Sequence, residues 1–195
     1  LIEAASAAYR LRDRLTERER YLTEAYYHAS VTLDFEARAD AYRRVLEIQP
    51  DDATALNNLA IHYNDRRDYA RARDLYVRAI EGPGRTRNAF NNVVGTLYSL
   101  GEKEAALEIL DQGEALYPLD PGMRVRRLRI LWGLGRHQDA LDTGRALMAA
   151  FPDATLTHLE ILSELGAIES ARGRVEAARL IHGERRSLAA RANRP

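Results

Sequence analysis

Leu59-Ala60-Ile61-His62-Tyr63, followed by Asp68-Tyr69-Ala70-Arg71-Ala72-Arg73-Asp74-Leu75-Tyr76, decides the fold of this chain. Leu56, Leu59, Ala60 and Tyr63 recur at helical spacing, which predicts an amphipathic helix. Asp68 stands where an N-cap belongs. Tyr69, Ala72, Leu75, Tyr76 and Ala79 then form the apolar stripe of a second helix. The phrase returns at Glu102–Leu110 and at Arg136–Gly144, with the central alanines Ala72, Ala106 and Ala140 each 34 residues apart. Pro50, Pro118 and Pro152 keep the same period, with Gly84 in the slot between the first two. Gly101 and Gly135 are again 34 apart. Markers agreeing in one register define an internal repeat of two helices, and such repeats bury a core only by stacking. Alanine at the packed phase lets two helices approach closely.

The rest of the composition fits this reading. The chain has 195 residues, 46% of them hydrophobic and 30% charged, enough for a real core. Lys+Arg and Asp+Glu are 29 each, so the basic excess of a protein that grips nucleic acid or an anionic membrane is missing. Lys103 is the one lysine; arginine elsewhere reads as codon usage. Cysteine is absent, which removes disulfides, thiolate metal sites and cysteine nucleophiles. No run of about 18 apolar residues exists to insert directly into a membrane. The chain begins at Leu1 and shows no signal peptide, as expected of an excised or processed segment whose anchor, if any, lies elsewhere.

The register predicts an all-α architecture of about eleven helices and no strands. Residues 2–14 read as a helix with Ala5, Tyr9 and Leu15 on one face. Thr16-Glu17-Arg18-Glu19 reads as a capping box that starts the next helix. In the first repeat Arg38 occupies the small-residue phase, flanked by Ala37 and Ala39, which predicts a slightly shifted or splayed helix pair. Arg124 and Arg127 fall where Phe90 and Val93 sit one repeat earlier. After Pro152, Ala178 follows Ala140 by 38 residues, so one extra turn is expected in a helix from about Ala154 to Ala171. Asp51-Asp52 and Asp153 are expected to cap the helices that follow the prolines. The last helix, about Val175 to Ala190, is rich in arginine and reads as a polar end cap.

On Leu59-Ala60-Ile61-His62-Tyr63, Ala72, Tyr76, Ala79 and the closing prolines, the chain resembles the tetratricopeptide repeat family. The likeness covers residues 19 to 152 well and 159 to 192 more weakly. It implies a right-handed superhelix, an α-solenoid of antiparallel helix pairs, forming a single domain over residues 1–195. Residues 1–15 would be an N-terminal cap, 19–52, 53–86, 87–120 and 121–154 the repeats, and 155–195 a degenerate repeat with a C-terminal cap. It further implies a non-catalytic scaffold that binds a protein or peptide segment in a concave groove lined by the first helix of each repeat. The groove phases fall on Thr23, Glu24 and Tyr27; on Asn57, Asn58, Ile61 and Asn64; on Asn91, Asn92 and Tyr98; and on Val125, Arg126, Arg129 and Trp132. The family's carboxylate-clamp version needs Lys or Arg where this chain has Thr54, Asn57, Asn88 and Asn91. Residues 15–58 also resemble the repeat regions of bacterial serine/threonine kinases and signalling regulators. That implies a recruiting arm of a larger bacterial protein, cytoplasmic, or periplasmic if the parent is membrane-anchored. Self-association, and a fragment of a kinase whose catalytic domain is absent here, are the other two readings.

The residues themselves say why this face could bind. Asparagine disfavours helix interiors, yet Asn57-Asn58 recurs as Asn91-Asn92. The amide offers both donor and acceptor, which suits the backbone of an extended peptide; the other reading is hydrogen bonding between neighbouring helices. Arg126 and Arg129 share a helix face and could hold a carboxylate, with Trp132 as an aromatic anchor. The alternative is internal pairing with Asp139, Asp142 or Glu160. No phosphate loop, nucleophile elbow or zinc-protease motif occurs. His28, His62, His137, His158 and His182 have no metal-ligand spacing on one helix face. No enzyme activity, metal or other cofactor is therefore expected.

Overall fold

The computed structural model describes residues 1–118, 120–152 and 155–192. Among the described residues there are eleven α-helices and no strand. They are α1 (Ile2–Arg10), α2 (Glu17–Tyr27), α3 (Phe35–Ile48), α4 (Ala53–Asp65), α5 (Tyr69–Glu81), α6 (Arg87–Leu100), α7 (Lys103–Leu116), α8 (Pro121–Gly133), α9 (His137–Ala150), α10 (Thr155–Ala171) and α11 (Val175–Ala192).

The helices start where side chains satisfy orphan backbone N–H groups. Asp34, Asp52, Asp68 and Thr86 accept from the N–H groups of Ala37, Ala55, Arg71 and Ala89. Thr16 and Glu19 form the expected capping box. Asp120 accepts from Gly122, with Pro121 in the first turn of α8. The predicted cap at Asp153 and helix start at Ala154 lie outside the described residues.

The second helix of each repeat begins at residues 35, 69, 103, 137 and 175, and the turn before it repeats one backbone conformation. Leu33, Arg67, Gly101, Gly135 and Gly173, two residues before those starts, all have positive φ, from 55° to 80°. Glycine adopts this left-handed conformation without a Cβ penalty, and Leu33 and Arg67 do not.

Successive first and second helices begin 16 residues apart in the three middle repeats, 18 apart in the first and 20 apart in the last. The four extra residues of the last repeat are the predicted added turn, carried by the 17-residue α10. In the first repeat a π-helical turn at His28–Thr32 follows α2. α3 presents Ala39, fully buried, where later repeats present Ala72, Ala106 and Ala140, and half-buried Arg38 stacks over Phe35. The helix pair is shifted, as Arg38 implied. The predicted helix over residues 2–14 is corrected. α1 ends at Arg10 and a 3-10 turn follows at Arg12–Arg14. The Arg12 guanidinium folds back onto the carbonyl and ring of Tyr9, and Leu15 leaves the Ala5–Tyr9 face to become exposed.

The chain divides into two compact units, Leu1–Glu102 and Lys103–Pro195. In the N-terminal unit Ala25, Ala39, Val45, Ala55 and Leu59 make a core beneath Tyr21, Leu22 and Tyr63. In the C-terminal unit Leu128, Leu131, Leu141, Leu147, Ile161, Leu165 and Ile168 make another, with Trp132 packed against it. A Cβ on Gly144 would lie 2.8 Å from both Leu128 Cδ1 and Leu165 Cδ2, so α8, α9 and α10 meet there at the closest approach glycine allows.

Candidate functional site

In the N-terminal unit, α4 and α6 bring the asparagines together. Asn92 Nδ2 donates to Asn57 Oδ1 at 3.1 Å. The rung is diagonal, 35 residues apart rather than the level 34 that the repeat implies. The buried Thr96 hydroxyl reaches Asn64 Oδ1 at 3.1 Å and the Asn92 carbonyl at 3.0 Å. Asn58 Nδ2 donates to the Thr54 carbonyl of its own helix. The amides therefore bond neighbouring helices, but only in part. Among the described residues, Asn57 Nδ2, Asn58 Oδ1, Asn64 Nδ2 and Asn92 Oδ1 have no partner, and Asn91 Oδ1 is a buried acceptor left unpaired. These side chains and Ile61 are half-buried, and Tyr98 is exposed. Tyr27 is different: its ring stacks on Tyr9 at 4.0 Å, so α1 covers one face of it, while Arg12 pairs with Glu24 at 3.2 Å.

In the C-terminal unit the arginine cluster divides. Arg129 is bound internally, by Nη2 to Glu160 at 2.6 Å and Nε to Glu164 at 2.7 Å. Burial opposes its charge, but the hydrogen bond and charge of Glu164, with those of Glu160, outweigh burial and raise its pKa. Glu160 was a foreseen partner. Glu164 was not, although it lies one turn further along α10. Asp139 and Asp142 pair instead with Arg136 and Arg145. Arg127 pairs with Asp111 and Glu114 of α7, and Arg124 donates to the Pro118 carbonyl and lies over Phe151. Val125, a groove phase by resemblance, is corrected to a core residue, 3% exposed. Arg126 alone of the four is half-buried with no hydrogen bond or ion pair among the described residues. Burial, then the like charge of Arg129, depresses its pKa against the weaker pull of Asp120 and Glu160. Trp132 is half-buried on the core.

Among the described residues no three His, Cys, Asp or Glu side chains are grouped to hold a metal, and no helix is long and apolar enough to cross a membrane.

The tetratricopeptide repeat family profile matches residues 34–86 and 96–155, more than half of the chain. The chain belongs to the tetratricopeptide repeat family. Its fold is that of a solenoid whose members serve as protein-interaction scaffolds. No curated protein sequence matches significantly. Among solved structures, a crystal structure of MamA aligns with a TM-score of 0.76 at 16% identity, covering 92% of this chain and 97% of that one. YrrB, described as a TPR protein with an unusual peptide-binding site, aligns at 0.73 and 20% identity, over 96% and 93%. MamA 41-end from Desulfovibrio magneticus RS-1 aligns at 0.77 and 13%, over 92% and 99%. At such identities the likeness is one of fold.

Proposed function

We propose that this tetratricopeptide repeat chain captures an extended peptide segment on the asparagine face of α4 and α6, without catalysis. The observation that carries the reading is a face of half-buried asparagines, Asn57, Asn58, Asn64, Asn91 and Asn92, each with an amide atom that lacks a protein partner, Asn91 Oδ1 being closed to solvent as well. A partly desolvated amide without a partner costs free energy, and a peptide backbone supplies both the donors and the acceptors it lacks. Ile61 and Tyr98 would add apolar contact beside them. In the C-terminal unit Arg126 would take an anionic group of a ligand, because it is half-buried and makes no hydrogen bond or ion pair among the described residues. Arg129, held by two carboxylates, and Trp132, held on the core, would serve as supports rather than contacts.

The reading is tested by selecting short peptides from a random display library against the intact protein. The enriched peptide is then titrated into the Asn57→Ala/Asn58→Ala/Asn91→Ala/Asn92→Ala variant. Loss of binding with unchanged helical circular dichroism supports the reading. Undiminished binding to that variant overturns it.

A further inference from the structure

His62 of α4 is 2% exposed, and it sits in a cluster that the peptide face does not use. Its Nδ1 lies 3.0 Å from Arg66 Nη1. A guanidinium can only donate, so Nδ1 must keep its lone pair and the ring must be neutral, with its hydrogen on Nε2. Nε2 faces Glu36 of α3 at 3.7 Å. Arg66 closes α4 as its C-cap residue and also binds Glu36 through Nη2. The ring stands edge-on to Tyr63 at 5.4 Å, and Arg38 and Arg43 of α3 add positive charge around it. Arg66, hydrogen-bonded to the neutral imidazole and paired with Glu36, thus bridges the end of α4 to the start of α3.

We propose that His62 is an acid-operated latch between α3 and α4. A proton taken up at Nδ1 removes the acceptor that Arg66 uses and sets two cations against each other about 3 Å apart, the ring buried and the guanidinium reaching solvent. Arg66 must leave, Glu36 turns to the new imidazolium, and the α3–α4 tie passes from the C-cap Arg66 to His62, so the last turn of α4 loses its anchor. Burial first, then Arg66, resists that proton, while Glu36 favours it. The latch is therefore closed at neutral pH and opens on the acid side of the ordinary histidine range. It stands whether or not α4 takes a ligand.

The test combines imidazole NMR and amide hydrogen exchange on the intact protein across pH 7.5 to 5, corrected for intrinsic exchange. The expected result is an Nε2–H tautomer at pH 7.5 and titration below 6.5, with protection in the last turn of α4 falling about tenfold in step. Arg66→Met, which removes the opposing cation, shifts the titration upward. His62→Gln, which keeps an acceptor but cannot titrate, abolishes the pH-dependent loss. A His62 already protonated at pH 7.5, or an equal loss of protection in His62→Gln, overturns the latch.

Discussion

Gly166 of α10 lies flat against the His182 imidazole of α11. A Cβ there would fall 2.4 Å from Cε1, 2.8 Å from Nε2 and 2.9 Å from Nδ1. An ordinary contact needs about 3.5 Å or more, so Gly166→Ala forces the half-buried ring to move by roughly an ångström. Overpacking of that kind costs about 1–3 kcal/mol. The same substitution in a helix interior returns about 1 kcal/mol of propensity. The net expectation is a loss of about 1 kcal/mol, or a urea midpoint about 0.5 M lower if the slope is about 2 kcal/mol/M. Trp132, packed on the core of the same unit, reports the transition by fluorescence. The diagnostic comparison is the cycle with His182→Ala. Once the ring is gone, Gly166→Ala becomes stabilising by about 1 kcal/mol, so the sign of the effect depends on residue 182. Gly166→Ala stabilising the protein with His182 in place would refute this account of the packing.

Arg67→Gly, at φ 60°, is expected to raise stability by up to about 1 kcal/mol, and Gly101→Ala, at φ 80° with open space around its Cβ, to lower it by a similar amount. Thermal scans by circular dichroism check both. Arg126→Met is expected to stabilise by a few tenths to about 1 kcal/mol in urea melts, since a half-buried unpaired charge is replaced by an apolar stem, while weakening capture of anionic peptides. Arg129→Ala should cost about 1 kcal/mol, and the part due to Glu160 should fade in molar salt, because Arg129 and Glu160 are nearly half exposed while Glu164 is mostly buried. The folded state holds the His62 pKa below its unfolded value, so stability should fall as pH drops from 6.5 toward that lowered value. Asp68, whose pKa is lowered by the Arg71 side chain and backbone N–H, should add a second loss only as pH falls below about 4. Urea midpoints measured across pH 3 to 8 separate the two.

The fold was legible because its signals are local. Ala72, Ala106 and Ala140, the prolines, Gly101 and Gly135, and the capping side chains each act within a few residues of themselves, and the period links them. The four-residue slip before Ala178 was legible for the same reason. The features not read depend on how helices meet. The diagonal Asn57–Asn92 rung pairs residues 35 apart, an offset that a 34-residue period does not encode. The Tyr9–Tyr27 stack follows from the early end of α1, where Arg12 turns back on Tyr9. Glu164 was available as a partner for Arg129 at i+4 from Glu160, yet only the approach of α8 to α10 selects it. Leu33 and Arg67 in left-handed turns could have been found by carrying the glycine phase back one and two repeats. His62 showed only its phase with His28, and its burial beside Arg66 and Glu36 is tertiary.

If α4 and α6 form the capture surface, a photo-crosslinking side chain on them must reach the bound peptide. Placed at Ile61 or Asn91, with the display-selected peptide added to the intact protein, it should label the peptide. Placed at exposed Leu180 on α11, it should not. Crosslinking from Leu180 with none from Ile61 or Asn91 would contradict the account.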